Sequence, residues 1–345
     1  MIVCLNPPLR LMYSEVKNML YAGMDIHKIH CQAILMTKDG EIVKEERIKS
    51  DKEEIKDFFS GFKDVNIAFE ASTNYEYFYE VFEDLGYKPF LSHPYKTRLI
   101  AESMIKTDKI DARALAHLLR ADLLPLSYVP PPEIRELRHL VRHRIFLGRH
   151  RAKVKNQIHA KLYRRNIKYS GSNLFSKQGI KWLHGLGIFI VESYLNIYNL
   201  IEEEIKAVEL KIKFEGSKYK EVLLLTTIPG IGLYSALIIF SEIGDISRFH
   251  SEESLFNYAG IIPMVRQSGE KKYHGRITKE GSKYLRWILT EIIRVHIRWA
   301  PESKITKFYY RIKKRKNDNI AVIAASRKLL QTIYHMLKNN NEFQG

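Results

Sequence analysis

The chain has 345 residues, 45% of them hydrophobic and 28% charged, a soluble-protein balance long enough for two or three domains. Fifty-six Lys and Arg against 39 Asp and Glu leave a formal charge of +17 and a pI near 9.6, which points to a polyanionic partner, either nucleic acid or an anionic membrane surface. Two cysteines, Cys4 and Cys31, exclude a disulfide framework and a structural zinc site and make a reducing, cytoplasmic setting the expectation.

In the segment from Met1 to Leu20, Asn6, Pro7, Pro8, Arg10, Glu15 and Lys17 interrupt the apolar core that a signal peptide needs. Residues 1–18 read as a flexible leader, with Met12 and Met19 as alternative starts. Leu20 to Asp25, Cys31 to Thr37 and Glu41 to Ile48 read as strands, the last two joined by a Lys38-Asp39-Gly40 turn. Ser50 and Glu53 form a capping-box pattern that opens a helix to about Phe62. A strand from Val65 to Glu70, a helix from Tyr75 to Leu85 closed by Gly86, and a strand from Lys88 to Ser92 follow, with helical sequence on to about Ala121. Three antiparallel strands, then helix, strand, helix, strand, helix is the order of a ribonuclease-H-like mixed sheet. That order ends two strands at Asp25 and Glu70 and opens a later helix at Asp108 and Asp111, so four acids converge on one edge of the sheet.

The stretch Lys106 to Ala116, KTDKIDARALA, carries two readings. Thr107 caps a helix whose first-turn acids favour the positive end of its dipole, which needs no metal. Alternatively, two carboxylates three residues apart share a face and are worth keeping together around a hard divalent cation such as magnesium.

Pro130-Pro131-Pro132 marks a domain boundary. Between Glu133 and Lys168, twelve Lys and Arg stand against Glu133 and Glu136. Leu140, Leu147 and Val154 recur every seven residues, giving one apolar seam on a long helix. That helix is either packed on its own domain or a dimerising coiled-coil arm whose basic face, with Arg142, Arg149, Arg151 and Lys155, lies on nucleic acid. Glu192 to Lys213 has the spacing of its returning partner, and the Gly- and Ser-rich region between them reads as a turn or small insertion.

Val222 to Ser241 is uncharged and long enough for a membrane span, but Pro229-Gly230-Ile231-Gly232 breaks it into two buried half-length helices laid out like a helix-hairpin-helix element. The chain is therefore placed in the cytosol rather than the membrane. Met264 to Arg276, MVRQSGEKKYHGR, reads as a basic loop in which Ser268 is surrounded by Arg266, Lys271, Lys272, His274 and Arg276. Such a loop binds phosphate, or presents a nucleophile whose transition state the cations stabilise. The remainder is helical, from Thr278 through Trp299 and from Ile320 to Leu337. The organisation expected is α/β plus all-α: leader 1–18, ribonuclease-H-like domain 19–129, helical or coiled-coil linker 130–218, and a mostly helical C-terminal domain 219–345.

Several of these motifs resemble one family along nearly the whole chain from Tyr21. YAGMDIHK at Tyr21 to Lys28, IAFEAS at Ile67 to Ser72, HPYKTRLIAESMIKTDKIDARALA at His93 to Ala116, and GIIPMVRQSG at Gly260 to Gly269 followed by GRITKEGSKYLRWIL are similar to motifs of insertion-sequence transposases of the insertion sequence 110 type. These pair a DEDD-type, RuvC-like domain with a C-terminal domain carrying a serine. Ser72-Thr73-Asn74 departs from the Thr-Gly pair that often follows the family's glutamate. The resemblance implies a site-specific recombinase in which Asp25, Glu70, Asp108 and Asp111 hold Mg2+ and Ser268 attacks DNA, giving a covalent phosphoserine. It also implies an element-encoded guide RNA, donor and target DNA as partners, and a dimer or tetramer in which the two catalytic domains can come from different subunits. The alternatives are a water-using endonuclease of the Holliday-junction-resolvase kind and a nonenzymatic architectural protein.

Overall fold

The computed structural model describes residues 19–100, 107–268 and 271–344. The leader expected at 1–18 lies outside them. The chain divides into two compact units, Met1–Val129 and Pro130–Gly345.

The first unit is built on strands β1 (Leu20–Ile26), β2 (His30–Met36), β3 (Ile42–Lys49), β4 (Val65–Glu70) and β5 (Lys88–Ser92), with helices α1 (Lys52–Phe58), α2 (Tyr75–Asp84), α3 (Pro94–Ile100) and α4 (Asp108–Arg120). The strand order is β3-β2-β1-β4-β5, antiparallel on the β3-β2-β1 side and parallel from β1 through β4 to β5. This is the ribonuclease-H-like topology. The hydrophobic alternation decides the layering. Ala22, Met24, Ile67 and Phe69 pack with Ile55 and Phe58 of α1 and Phe78 and Phe82 of α2. On the other face Ile34, Met36 and Ala68 pack with Ala112, Leu115 and Ala116 of α4. Each fully buried phenylalanine on the first face contributes about 1.5–3 kcal/mol of transfer free energy.

The expected capping box at Ser50 and Glu53 is corrected by one residue. Asp51 caps α1, its carboxylate accepting from the Glu54 N–H at 2.9 Å, while the Ser50 hydroxyl donates to the His27 carbonyl at 2.8 Å. The tertiary partner at the end of β1 takes the serine, and the aspartate is left to cap. The helix also ends at Phe58 rather than Phe62, followed by a turn with Gly61 at φ +86°.

The second unit contains α5 (Pro132–Tyr163), α6 (Lys177–Gly185), α7 (Phe189–Gly216), α8 (Lys220–Leu225), α9 (Leu233–Ile243), α10 (Glu252–Ala259), strands β6 (Pro263–Ser268) and β7 (Lys271–Ile277), then α11 (Lys283–Trp299), α12 (Lys304–Lys313) and α13 (Asp318–Asn339). Proline occupies the first turn of α5, where its missing N–H costs nothing. The α5 seam serves two cores. Leu137, Val141 and Ile145 join the main core formed by α9 to α13, and Ile158 and Leu162 pack with Leu183 of α6 and Val191 and Leu195 of α7. The helical arm and the C-terminal helices therefore share one core, reinforced where buried Arg138 donates to the Glu242 carbonyl at 2.8 Å.

The uncharged stretch folds as α8 and α9 around a turn with Gly230 at φ +93°. A Cβ there would lie 3.0 Å from the His296 nitrogen, and the His296 ring contacts the Pro229 carbonyl at 2.7 Å, so this turn is packed against α11 of its own chain. The basic loop expected at Met264 to Arg276 is corrected to a two-stranded hairpin, β6-β7, antiparallel from Pro263↔Ile277 to Ser268↔Lys271. Val265 and Tyr273 stand on facing strands, and β-branched and aromatic residues of this kind favour paired strands over an irregular loop.

Candidate active site

The sheet register sets the site. The β1-β4 ladder runs to Met24↔Phe69, so Asp25 and Glu70 occupy the next position on adjacent parallel strands. Asp25 is also paired with Gln32 on β2, and Glu70 with Ser92 on β5. Gln32, Asp25, Glu70 and Ser92 thus form a polar row across four strands, on the face that α4 covers.

Helix α4 reaches this row because β1 carries Gly23. A Cβ at Gly23 would lie 2.0 Å from the Ala112 carbonyl oxygen and 2.7 Å from the Ala116 nitrogen, distances no side chain tolerates. The Asp108, Ala112, Ala116 row of α4 therefore lies directly on the strand, with Asp108 at the strand end. Arg113, bonded to Glu45 of β3 at 2.7 and 3.0 Å, and Arg120, donating to the Lys38 carbonyl at 3.1 Å, fix the helix across the hairpin. The Arg113 guanidinium holds the Glu45 carboxyl below its usual range.

The capping reading of KTDKIDARALA is observed, and the metal reading is compatible with it. The Thr107 hydroxyl caps α4, accepting from the Ile110 N–H at 3.3 Å, and the capped turn carries Asp108 and Asp111 to the site. His27 Nε2 lies 3.3 Å from Asp25 Oδ2 and 3.6 Å from Asp108 Oδ1. Ligand atoms of Asp25, His27 and Asp108 all fall within 4.8 Å of one another. Burial raises the half-buried Asp25 carboxyl above its usual range, His27 opposes that shift, and the charges of Asp108 and Asp111 add to it. Among the described residues, the ion pairs of Asp25 and Asp108 are those with His27. Crowded oxygen donors, one of them already pushed toward its neutral form, fit a hard divalent cation, to which an imidazole nitrogen is an acceptable additional ligand. At the ends of the row, Gln32 Nε2 and Ser92 Oγ are buried without a hydrogen-bond partner.

His27, Gly23 and Gln32 were not among the residues the sequence singled out. His27 stands two positions after Asp25 in YAGMDIHK, so that spacing was there to be read. Gly23 declares its role only once the helix above it is known.

Ser268 closes β6 in the second unit, opposite Lys271; its side chain, with those of Arg266, Lys271 and Lys272, lies outside the described part of the structure. Arg276 is exposed on β7. The arm cations have partners within the chain. Arg142 makes a bidentate pair with Glu242 at 2.8 and 3.1 Å, and the Glu242 side chain is 1% exposed. Arg151 pairs with Glu202 at 3.1 Å, Arg149 stands over Tyr284 at 5.9 Å, and Lys155 over Phe175 at 4.6 Å. Beyond them, at the end of α5, Arg164, Arg165 and Lys168 are exposed beside Tyr163.

An acid cluster at the strand ends of a ribonuclease-H-like sheet is suited to holding a divalent cation, an arrangement fitting the class of enzymes that act on nucleic acid. Family comparison agrees. The DEDD transposase model of the IS110 type, described as "Transposase", matches residues 22–166, and that of the "Transposase IS116/IS110/IS902 family" matches residues 222–310. The transposase for insertion sequence element IS1533 of Leptospira borgpetersenii is 27% identical over 94% of this chain and 97% of its own length. That for IS1111A of Coxiella burnetii is 22% identical over 96% and 93%. The pilin gene-inverting protein of Moraxella bovis is 34% identical over 35% of this chain and 38% of its own. The chain belongs to the IS110 family of insertion-sequence transposases, enzymes that act on DNA. Among the described residues no helix is long and apolar enough to cross a membrane.

Proposed function

We propose that this transposase cuts and joins donor and target DNA by magnesium-assisted phosphoryl transfer, with Ser268 as nucleophile. The observation that carries the reading is the meeting of Asp25 and Asp108 through His27 at the end of β1, with Glu70 at the neighbouring strand end and Asp111 in the same helical turn. Asp25, Glu70, Asp108 and Asp111 hold the cation. When bound, it neutralises charge that builds on the phosphoryl oxygens. The chain's own groups do the rest: the Ser268 oxygen forms a bond to phosphorus as the ester bond to a deoxyribose oxygen breaks. The serine proton is released and the leaving oxygen gains one, so the step exchanges one phosphodiester for another without redox change. Arg266, Lys271, Lys272 and Arg276 on the hairpin clamp the phosphate.

Acids and serine belong to separate units, so the complete site requires those units, from one chain or from two, to close on the same DNA. A homo-oligomer, dimer or tetramer, guided by an element-encoded RNA, is the assembly this reading proposes, in the cytoplasm of a prokaryotic cell. The +17 charge supports a polyanionic partner.

The test is strand cleavage by Ser268→Ala with denaturing gel analysis of protein-DNA adducts. Loss of both cleavage and adduct is expected. Cleavage retained without an adduct would show water as the nucleophile and leave a resolvase-like endonuclease. RNA sequenced from protein purified with its native flanking DNA tests the guide separately, and no enriched element-encoded RNA would remove it.

A further inference from the structure

Where the β6-β7 hairpin joins the helices of the second unit, its root borders a cavity of about 1020 Å³ together with α10, α12 and α13. Phe256, Ile277, Phe308, Ile320 and Ile323 make an apolar wall. Ile320 is 48% exposed and Phe308 half-buried, so part of that wall is presented to solvent rather than packed into the core. A concave apolar surface of this size, with a few polar groups at its edge, is the form of a ligand site.

The charged groups around the wall say what it takes. Arg276 of β7, Lys279 just beyond it, and Arg327 and Lys328 of α13 line the cavity and are exposed. The carboxylate among the lining residues is Glu252, already engaged by Gln331 at 2.6 Å and His335 at 3.0 Å. Arg327 lies over the Phe256 ring at 4.8 Å and its charge reaches Glu253, while Lys328 donates to the uncharged Gln331 at 2.8 Å and keeps its charge. Among the described residues Arg276 and Lys279 enter no ion pair, and exposed Glu280 follows Lys279 in the chain. Arg311 adds a further cation 5.1 Å from the Phe308 centroid. An apolar wall under a cationic rim is complementary to a nucleotide, its base against the wall and its phosphates on the rim. An apolar peptide would leave those cations without partners, and an intact duplex keeps its bases stacked away from the wall.

Position decides which strand. Ser268 stands at the far end of the hairpin, and the root that borders the cavity, Pro263↔Ile277, is the length of β6 away, about 17 Å. A strand attacked at Ser268 has its flanking nucleotides within reach of the cavity, and a strand cut from one DNA and joined to another must leave its first duplex. We propose that the cavity takes an unpaired base of the DNA strand beside the cut, with Arg276, Lys279 and Lys328 on the adjoining phosphates. The proposal rests on Ser268 as the nucleophile and adds a base-binding site next to it.

Fluorescence anisotropy of the full chain with a short oligo(dT), and with an abasic strand of equal length and charge, tests it. The wild type is expected to prefer the strand with bases by ~10-fold. Ala324→Phe, which fills the cavity, and Ile320→Ala, which strips its wall, should each remove most of that preference while abasic binding and helicity by circular dichroism are kept. Lys279→Ala with Lys328→Ala should weaken both strands alike. Photocrosslinking of oligo(dT) carrying 5-iodouracil, mapped by mass spectrometry, should mark Phe308 in the wild type and equally in Ser268→Ala. A crosslink kept in a Ser268→Ala protein that still cleaves without an adduct would remove the serine mechanism and leave the base site standing. A base preference that both cavity variants retain, or crosslinks confined to other parts of the chain, overturns the site. A Phe308 crosslink formed with oligo(U) RNA and not with oligo(dT) overturns the assignment to DNA.

Discussion

Neutralising Asp25 should change stability and activity in opposite directions. Its folded carboxyl titrates above its usual value, so the folded state holds that proton more tightly than the unfolded chain. The stability it contributes is present at low pH and is lost as pH rises from the ordinary carboxylate range through the raised value. At neutral pH the ionised group costs the metal-free protein stability, a cost moderated by its partial exposure. Asp25→Asn is therefore expected to raise the metal-free melting temperature at pH 7 and to lose the advantage near pH 3, while cleavage falls by about 10³-fold. Divalent cation at a hundredfold excess over Kd should stabilise the wild type by about 2.7 kcal/mol and the variant by much less, as calorimetry with Mg2+ or Mn2+ would read. The acids were legible in the sequence because each ends an apolar strand or opens a capped helix, patterns that are local. For His27 only the spacing from Asp25 is local; its nearness to Asp108 is created by the docking of α4, an approach between residues 81 positions apart, and no pattern in the sequence announces it.

Among the elements, α4 depends on the absence of one side chain beneath it. Gly23→Ala forces a methyl group into the Ala112 carbonyl and should cost about 1–3 kcal/mol as the helix lifts. Because Asp108 rides on that helix, cation affinity should fall with stability, though no acid has been altered. A Gly23→Ala protein of wild-type melting temperature and metal affinity would refute this. At the root of the arm, Arg142→Ala leaves the Glu242 carboxylate, accepting also from Ser282 at 2.8 Å, without its cation. Breaking a fully buried pair costs about 3–5 kcal/mol, and with Arg142 38% exposed the cost here is below that, so thermal unfolding should show the second unit destabilised. The sequence displayed Arg142 as one basic residue among twelve, and nothing short of the position of Glu242, a hundred residues later, marks it as structural. Similarly, the seam of α5 was plain from its period, whereas the capping residue of α1 shifted because a strand-end carbonyl took the serine, and the Ser268 segment paired as strands once its ends were held.

For the molecule as a whole, the charge excess is best sought where it is not already neutralised. Arg164, Arg165 and Lys168 at the exposed end of α5 should bind phosphates, and replacing them with alanine should reduce the salt dependence of DNA binding by about 0.9 in the log-log slope for each phosphate released. Arg151→Ala, which mainly releases Glu202, should alter that slope little. Fluorescence anisotropy across a salt series distinguishes the two. Composition alone announced a polyanion-binding protein; which cations are available required knowing which carboxylates had claimed the others.

The polar row also sets an order on the protein's own synthesis. Asp25 and Glu70 leave the ribosome long before α4, and until that helix docks over Gly23 the two acids sit on an uncovered sheet edge without Asp108 or Asp111. A nascent chain that has not yet added α4 carries two of the four acids and lacks Asp108 and Asp111. The acid cluster is assembled only with the last helix of the first unit, when a link spanning most of that unit's length has closed.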